Sequence, residues 1–190
     1  MPILTPAEPT LMTNPNIDLF ESSRLIARRC RLEDAAPLSA LMTAEISRWV
    51  AAWPFPLTTT KVTEILRGSI DAAQRGEEFP TIIVERSSNQ PIGWLKLSRT
   101  ENNVSEFELS YWIGEQSQRQ GYAFEIASAA IDFAFANLSA IRVIAGAQTE
   151  NQSSHALLAK LGMQSTREKP VWAPARQRYE LCQFWQLDQA

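Results

Sequence analysis

The chain has 190 residues, 45% of them hydrophobic and 21% charged, with a net charge of −3. That length fits one globular domain, since domains commonly run to ~100–200 residues. The negative balance works against generic nucleic-acid affinity, which rests on clustered Lys and Arg, and no apolar run approaches the ~20 residues that span a bilayer.

The opening stretch "MPILTPAEPTLMTNPNID" lacks a basic start and is interrupted by Pro2, Pro6, Pro9 and Pro15, so residues 1–19 read as a flexible tail rather than a signal peptide. "SSRLIARRCRL" (22–32) reads as a first strand and "EDAAPLSALMTAEISRWV" (33–50) as a first helix. Pro37 confines the start of that helix, because proline is tolerated only in the first turn, which makes Glu33 or Asp34 the cap. In "WVAAWPFPL", Trp49, Trp53 and Phe55 around two prolines suggest a rigid apolar wall rather than a helix face, or a hydrophobic plug under the two helices. A second helix follows Thr58–Thr60, with Val62, Ile65, Leu66 and Ala73 on one face and Gly76 as its stop.

"FPTIIVE", the turn "SSNQP" and "IGWLKLSR" predict a hairpin, to which "VSEFELSYWI" adds a third strand. Alternation in that third strand puts Phe107, Leu109, Tyr111 and Ile113 on one face and Glu106, Glu108, Ser110 and Trp112 on the other. The apolar face should meet the helices, leaving Glu108 toward a cleft. A helix over Gly121–Ala136, a strand "IRVIAGAQ", a short helix "SHALLAKLG" and closing strands around "STREKPVW" and "RYELCQFWQL" complete the chain. The order β-α-α-β-β-β-α-β-α-β-β predicts a mixed α/β (α+β) domain over 20–188, without repeat or linker.

The helix opening at Gly121 has no Ser or Asp to cap it. A helix N-terminus carries free N–H groups and a partial positive charge, so a ligand anion can replace the cap, and glycine lets backbone approach closely. The apolar set Ala123, Ile126, Ala127, Ala130, Ile131 and Ala134 would anchor the helix on the sheet. Gly121 either cradles a pyrophosphate in this way, mattering for binding more than for folding, or simply turns the chain while water takes the donors.

The segment Gln118-Arg119-Gln120-Gly121-Tyr122-Ala123 fits the Q/R-x-x-G-x-G/A signature and resembles the GNAT superfamily of N-acetyltransferases. "ELSYWIGEQSQRQGYAFEI", "SSRLIARRCRLEDA" and "TENQSSHALLAKLGM" extend the resemblance to its RimJ/RimL-type branch, the ribosomal-protein-alanine acetyltransferase-like proteins. The resemblance implies a mostly antiparallel sheet flanked by helices, with acetyl-CoA wedged between two splayed parallel strands, here 104–113 and 141–148. It implies acetyl transfer to a primary amine, on a protein N-terminus or a small molecule. Trp112, Ile113 and Gln118 through Ala123 (Gln118, Arg119, Gln120, Gly121, Tyr122, Ala123) would bind the cofactor, with Asn151 and Ser154 along the pantetheine arm. Trp49, Trp53 and Phe55 would border the acceptor. A cytoplasmic enzyme without metal, membrane or nucleic-acid partner is expected, and a homodimer is left open.

Within that frame Glu108 is the candidate base, accepting the amine's proton directly or through water, unless it is only a salt-bridged sheet glutamate. A lysine-like amine of pKa ~10.4 is neutral only about 0.04% of the time at pH ~7, an α-amine of pKa ~7.7–8.0 about 10–20%, so an α-amine needs less help. The tyrosine that many superfamily members carry on the helix after the Asn motif is missing. Tyr111 falls on the core face, Tyr122 in the cofactor loop and Tyr179 in the last hairpin. Ser154 is therefore the candidate donor to the leaving thiolate, or else Ser153 or Ser154 caps the short helix. The missing tyrosine also motivates a rival reading, a non-catalytic acyl-CoA-binding or sensor module. The single histidine, His155, reads as a surface residue, and Cys30 and Cys182 as packing residues without metal or disulfide spacing.

Overall fold

The computed structural model describes residues 18–101 and 103–190. Eight strands form one sheet in the order β1-β2-β3-β4-β5-β6-β8-β7. They are β1 Asp18–Glu21, β2 Leu25–Arg29, β3 Glu78–Glu85, β4 Gln90–Thr100, β5 Asn103–Ile113, β6 Arg142–Gln148, β7 Gln164–Ala173 and β8 Arg178–Asp188. Every neighbouring pair is antiparallel except β5 and β6. The helices are α1 Ala35–Leu41, α2 Ala44–Ser47, α3 Thr59–Gln74, α4 Tyr122–Asn137 and α5 Gln152–Lys160.

Helices cover both sheet faces, and two buried clusters result. Phe79, Ile83, Leu95, Phe107 and Leu109 pack toward Ile126, Ala127 and Ala130 of α4. Ile82, Val84, Trp94 and Trp112 pack toward Leu38 of α1 and Val62 and Leu66 of α3. This explains why β3, "EFPTIIVE", is a continuous apolar run: a strand buried on both sides has no polar face to show.

Three expected boundaries move. The tail lies outside the described residues as far as residue 17, but Asp18–Glu21 pairs with β2 as an edge strand. The first strand contracts to Leu25–Arg29. The helix expected over 33–50 breaks into a 3-10 turn at Leu32–Asp34, then α1 and α2. Met42 is extended (φ −76°, ψ 127°), and Thr43 starts a new helix by accepting the Ile46 N–H at 3.2 Å. A threonine offering its hydroxyl to the backbone favours a cap over a helix interior.

The start of α4, which the site depends on, is fixed by Glu125. Burial pushes its carboxyl up. Hydrogen bonds from Ser22 Oγ (2.7 Å), the Arg24 backbone N–H (2.8 Å), Arg24 Nε (2.7 Å) and Ser23 Oγ (3.1 Å) outweigh burial and hold the pKa at about 2. A carboxyl lowered on folding contributes stability above its unfolded pKa of ~4.3, and that contribution fades as pH falls toward the folded value. Glu125→Gln should therefore lower stability by roughly 1–3 kcal/mol at neutral pH. Denaturant titrations should show the gap between variant and parent closing below about pH 4.

Candidate functional site

Strands β5 and β6 pair only at Glu106↔Arg142, Phe107↔Val143 and Glu108↔Ile144. Beyond Glu108, β5 stays on β4 as far as Ile113 while β6 follows β8. The sheet therefore opens, and a cavity of about 790 Å³ runs through the gap from the loop before α4 to the loop between α2 and α3.

At one end lies the glycine loop. Gln118 folds back to donate from Nε2 to Ile113 O at 2.9 Å, Arg119 takes φ 59° and Gly121 φ 81°. Among the described residues, no backbone N–H from Arg119 through Phe124 has an acceptor, and α4 has no side-chain cap. Arg24, ion-paired to Glu125 at 2.6 Å, braces the loop, its Nη2 3.1 Å from Gln120 O and its guanidinium 4.4 Å from the Tyr122 ring centroid. Aligned free donors and the helix dipole together suit a pyrophosphate, so the residues present fit the group. Gly121 has a backbone role: its left-handed φ of 81° strains most L-residues, asparagine least. The expectation that it matters for binding and hardly for folding is corrected by that angle.

At the gap itself, Glu108 is half-buried and lines the cavity. Burial raises its pKa, opposed by the charges of Lys169 and Lys96 and supported by that of Glu106. Tyr111 also lines the cavity, because the core face of β5 and the cleft meet where β6 separates. Its phenol is pushed up by burial, with a hydrogen bond from Ser154 working the other way. Neither serine caps α5. Asn151 does so, accepting the Ser154 N–H at 3.1 Å and the Ser153 hydroxyl at 2.8 Å.

At the far end, Trp49 and Trp53 line the cavity and Phe55 does not. Trp53 and Leu57 take the inward positions of the loop, and Phe55 is 54% exposed. Trp112 belongs to this end rather than to the glycine-loop end, since alternation turns it toward Trp53 and Trp94. Its indole N–H is buried with no partner among the described residues. Ile113, Gln118, Arg119, Gly121, Tyr122, Ala123, Asn151 and Ser154 also line the cavity. Gln120 turns its side chain back to Gln116 O.

Two further side chains are held in structural roles. Trp185 Nε1–H donates to His155 Nδ1 (3.2 Å), which leaves His155 Nε2 to donate to Gln148 O (3.0 Å). Cys182 lies in the cavity wall, but burial and the nearby Glu180 and Glu108 raise its pKa and keep the thiol protonated. Arg24 and Arg176 carry no signal in the sequence, because each acts through contacts distant along the chain, Arg24 with Gln120 and Glu125 and Arg176 with Ser47 and Val50.

No helix among the described residues is long and apolar enough to cross a membrane, and no cluster there could hold a metal ion. Comparison with known proteins agrees with the geometry. The acetyltransferase (GNAT) domain family matches residues 24–164. The uncharacterized N-acetyltransferase p20 of Bacillus licheniformis is 24% identical over 149 residues, covering 78% of this chain and 83% of its own. RimJ of Mycobacterium smegmatis, solved in complex with CoA-disulfide, superposes with a TM-score of 0.78 at 19% identity, over 89% of this chain and 86% of that one. A ribosomal-protein-S5-alanine acetyltransferase from Vibrio fischeri gives 0.76 at 17% identity, over 91% and 97%. These superpositions are likenesses of fold. With the family spanning both the strand that carries Glu108 and the glycine loop, this chain belongs to the GNAT acetyltransferases and is an N-acetyltransferase.

Proposed function

We propose that residues 18–188 act as one cytoplasmic enzyme that moves an acetyl group from acetyl-CoA to a primary α-amine, by direct attack in a ternary complex. The observation that carries this reading is the continuous cavity joining the partnerless N–H groups of the glycine loop to Glu108. Acetyl-CoA supplies an activated acyl carbon with a thiolate as leaving group. Arg119 through Ala123 would offer backbone donors to its pyrophosphate, while the Gln118 N–H is spent on Glu115 O (3.1 Å) and its side chain braces the loop, and Asn151 and Ser154 would flank the arm. The amine nitrogen bonds to the acyl carbon, the carbon–sulfur bond breaks, and the nitrogen's proton passes to the Glu108 carboxylate directly or through water. Burial suits Glu108 to this, since a carboxylate of raised pKa is a better base.

The departing sulfur, like a free cysteine thiol, has a conjugate acid of pKa roughly 8.5 and needs little protonation at neutral pH. Ser154→Ala should therefore cost about 10-fold or less in kcat, the scale of one neutral hydrogen bond that water partly replaces. Tyr111→Phe is the companion variant. A large loss there with a small one at Ser154 would make the tyrosine the proton donor, with Ser154 orienting it.

The reading as a whole is tested by amine-dependent release of thiol from acetyl-CoA. Tight acetyl-CoA binding by calorimetry, with no release for any primary amine, would contradict it.

A further inference from the structure

The two ends of the cavity differ in chemistry. Beyond Glu108, away from the glycine loop, the apolar lining is Trp49, Trp53, Trp94, Trp112, Val50 and Val171. Trp53 stands edge-on to Trp94 and Trp112, with ring centroids 5.4 and 5.2 Å apart, and the three rings are 3–5% exposed. The floor is a packed aromatic block, so its shape is set before anything binds.

The sides are fixed as well. Arg176 donates to Ser47 O at 2.6 Å and Val50 O at 3.1 Å, and the Ala175 N–H donates to Ala51 O at 3.0 Å. These bonds tie the β7–β8 hairpin to the loop between α2 and α3. The charges along this end are already matched. Glu180 takes Arg176 in two bonds of 2.7 and 2.6 Å, with Arg178 Nε at 3.0 Å and Gln148 Nε2 at 2.8 Å. Lys96 is paired with Glu78, and Glu45 at the rim with Arg48. Glu108 is left, and the reaction uses it.

We infer that this end of the cavity is a specificity pocket for an apolar or aromatic group on the carbon that bears the reacting amine. This rests on the reading of the cavity as an amine acetylation site. The acceptor class is an α-amine with a Leu- or Phe-like side chain, and polycationic amines are disfavoured. A second ammonium entering here would leave water with no unmatched carboxylate to receive it. A buried apolar side chain instead gains the transfer free energy of its surface, which for a Leu or Phe corresponds to about 10-fold or more in affinity.

Thiol release should be measured with acetyl-CoA and glycinamide, serinamide, leucinamide, phenylalaninamide, spermidine and kanamycin. Expected is a kcat/KM for leucinamide and phenylalaninamide about 10-fold or more above glycinamide, carried mainly by KM, with both polycations below glycinamide. Trp49→Ala should compress the phenylalaninamide-to-glycinamide ratio several-fold while the KM for acetyl-CoA stays within about two-fold. A flat series, or faster turnover of spermidine or kanamycin, overturns the pocket assignment and leaves amine acetylation standing. No turnover with any member overturns both. A short peptide amide beginning with the preferred residue separates the two sources of such an amine: faster turnover than the amino amide identifies a polypeptide N-terminus, and slower turnover a small molecule.

Discussion

Glu108→Gln is expected to lower kcat by roughly 10²-fold while the KM for acetyl-CoA barely moves. The change keeps the shape of the side chain and removes its ability to take a proton. The pH dependence separates base catalysis from mere positioning. Burial raises the Glu108 pKa, so the acid limb of the parent's activity should lie above the ordinary carboxylate range. In the variant only amine already deprotonated reacts, so the deficit should shrink as pH rises toward the amine's pKa. A deficit constant with pH would assign Glu108 to orienting the acceptor. Stability gives an independent readout. A carboxyl whose pKa is raised on folding favours the folded state only while protonated, and opposes it once pH exceeds the folded pKa. Glu108→Gln should therefore melt no lower than the parent at neutral pH, so lost activity is not lost folding.

Gly121→Glu should weaken acetyl-CoA binding by far more than 10-fold, or ~1.4 kcal/mol. It sets a carboxylate at the free N–H groups from Arg119 through Phe124, beside the helix N-terminus meant for the ligand's phosphates. Because Gly121 has φ 81°, the substitution also strains the backbone, by roughly 1 kcal/mol or more. Gly121→Asn separates the two effects, since asparagine tolerates this conformation and carries no charge. Calorimetry should find Gly121→Asn binding acetyl-CoA more tightly than Gly121→Glu by about 10-fold or more at comparable melting temperatures. Equal affinities would mean that backbone strain, and not an anion cradle, explains the glycine.

The features legible in the sequence were those that local periodicity encodes. Alternation in β5 put Phe107 and Leu109 against α4, as the buried cluster there bears out, and Glu108 on the opposite face, where it lines the cavity. The uncapped start at Gly121 was readable because a missing cap is itself a local signal. The helix expected over 33–50 failed because Thr43 satisfies the Ile46 N–H, a competition between side chain and backbone that apolar spacing does not register. Tyr111 was placed on the core face and does pack against that cluster, but alternation could not show that the parting of β5 and β6 also opens it to the cavity. The parting depends on where β6 leaves β5 for β8, a pairing between segments far apart in the chain. Arg176 reaches Ser47 across 129 positions, and nothing near either residue announces it.

The ternary-complex account is tested most directly by two-substrate initial rates of thiol release, varying acetyl-CoA at several fixed concentrations of leucinamide. Direct attack within one cavity predicts double-reciprocal lines that intersect, because both substrates must be bound before any product leaves. Parallel lines would report an acetyl group held covalently on the protein between two half-reactions. That result would contradict the account and turn attention to the thiol of Cys182 in the cavity wall.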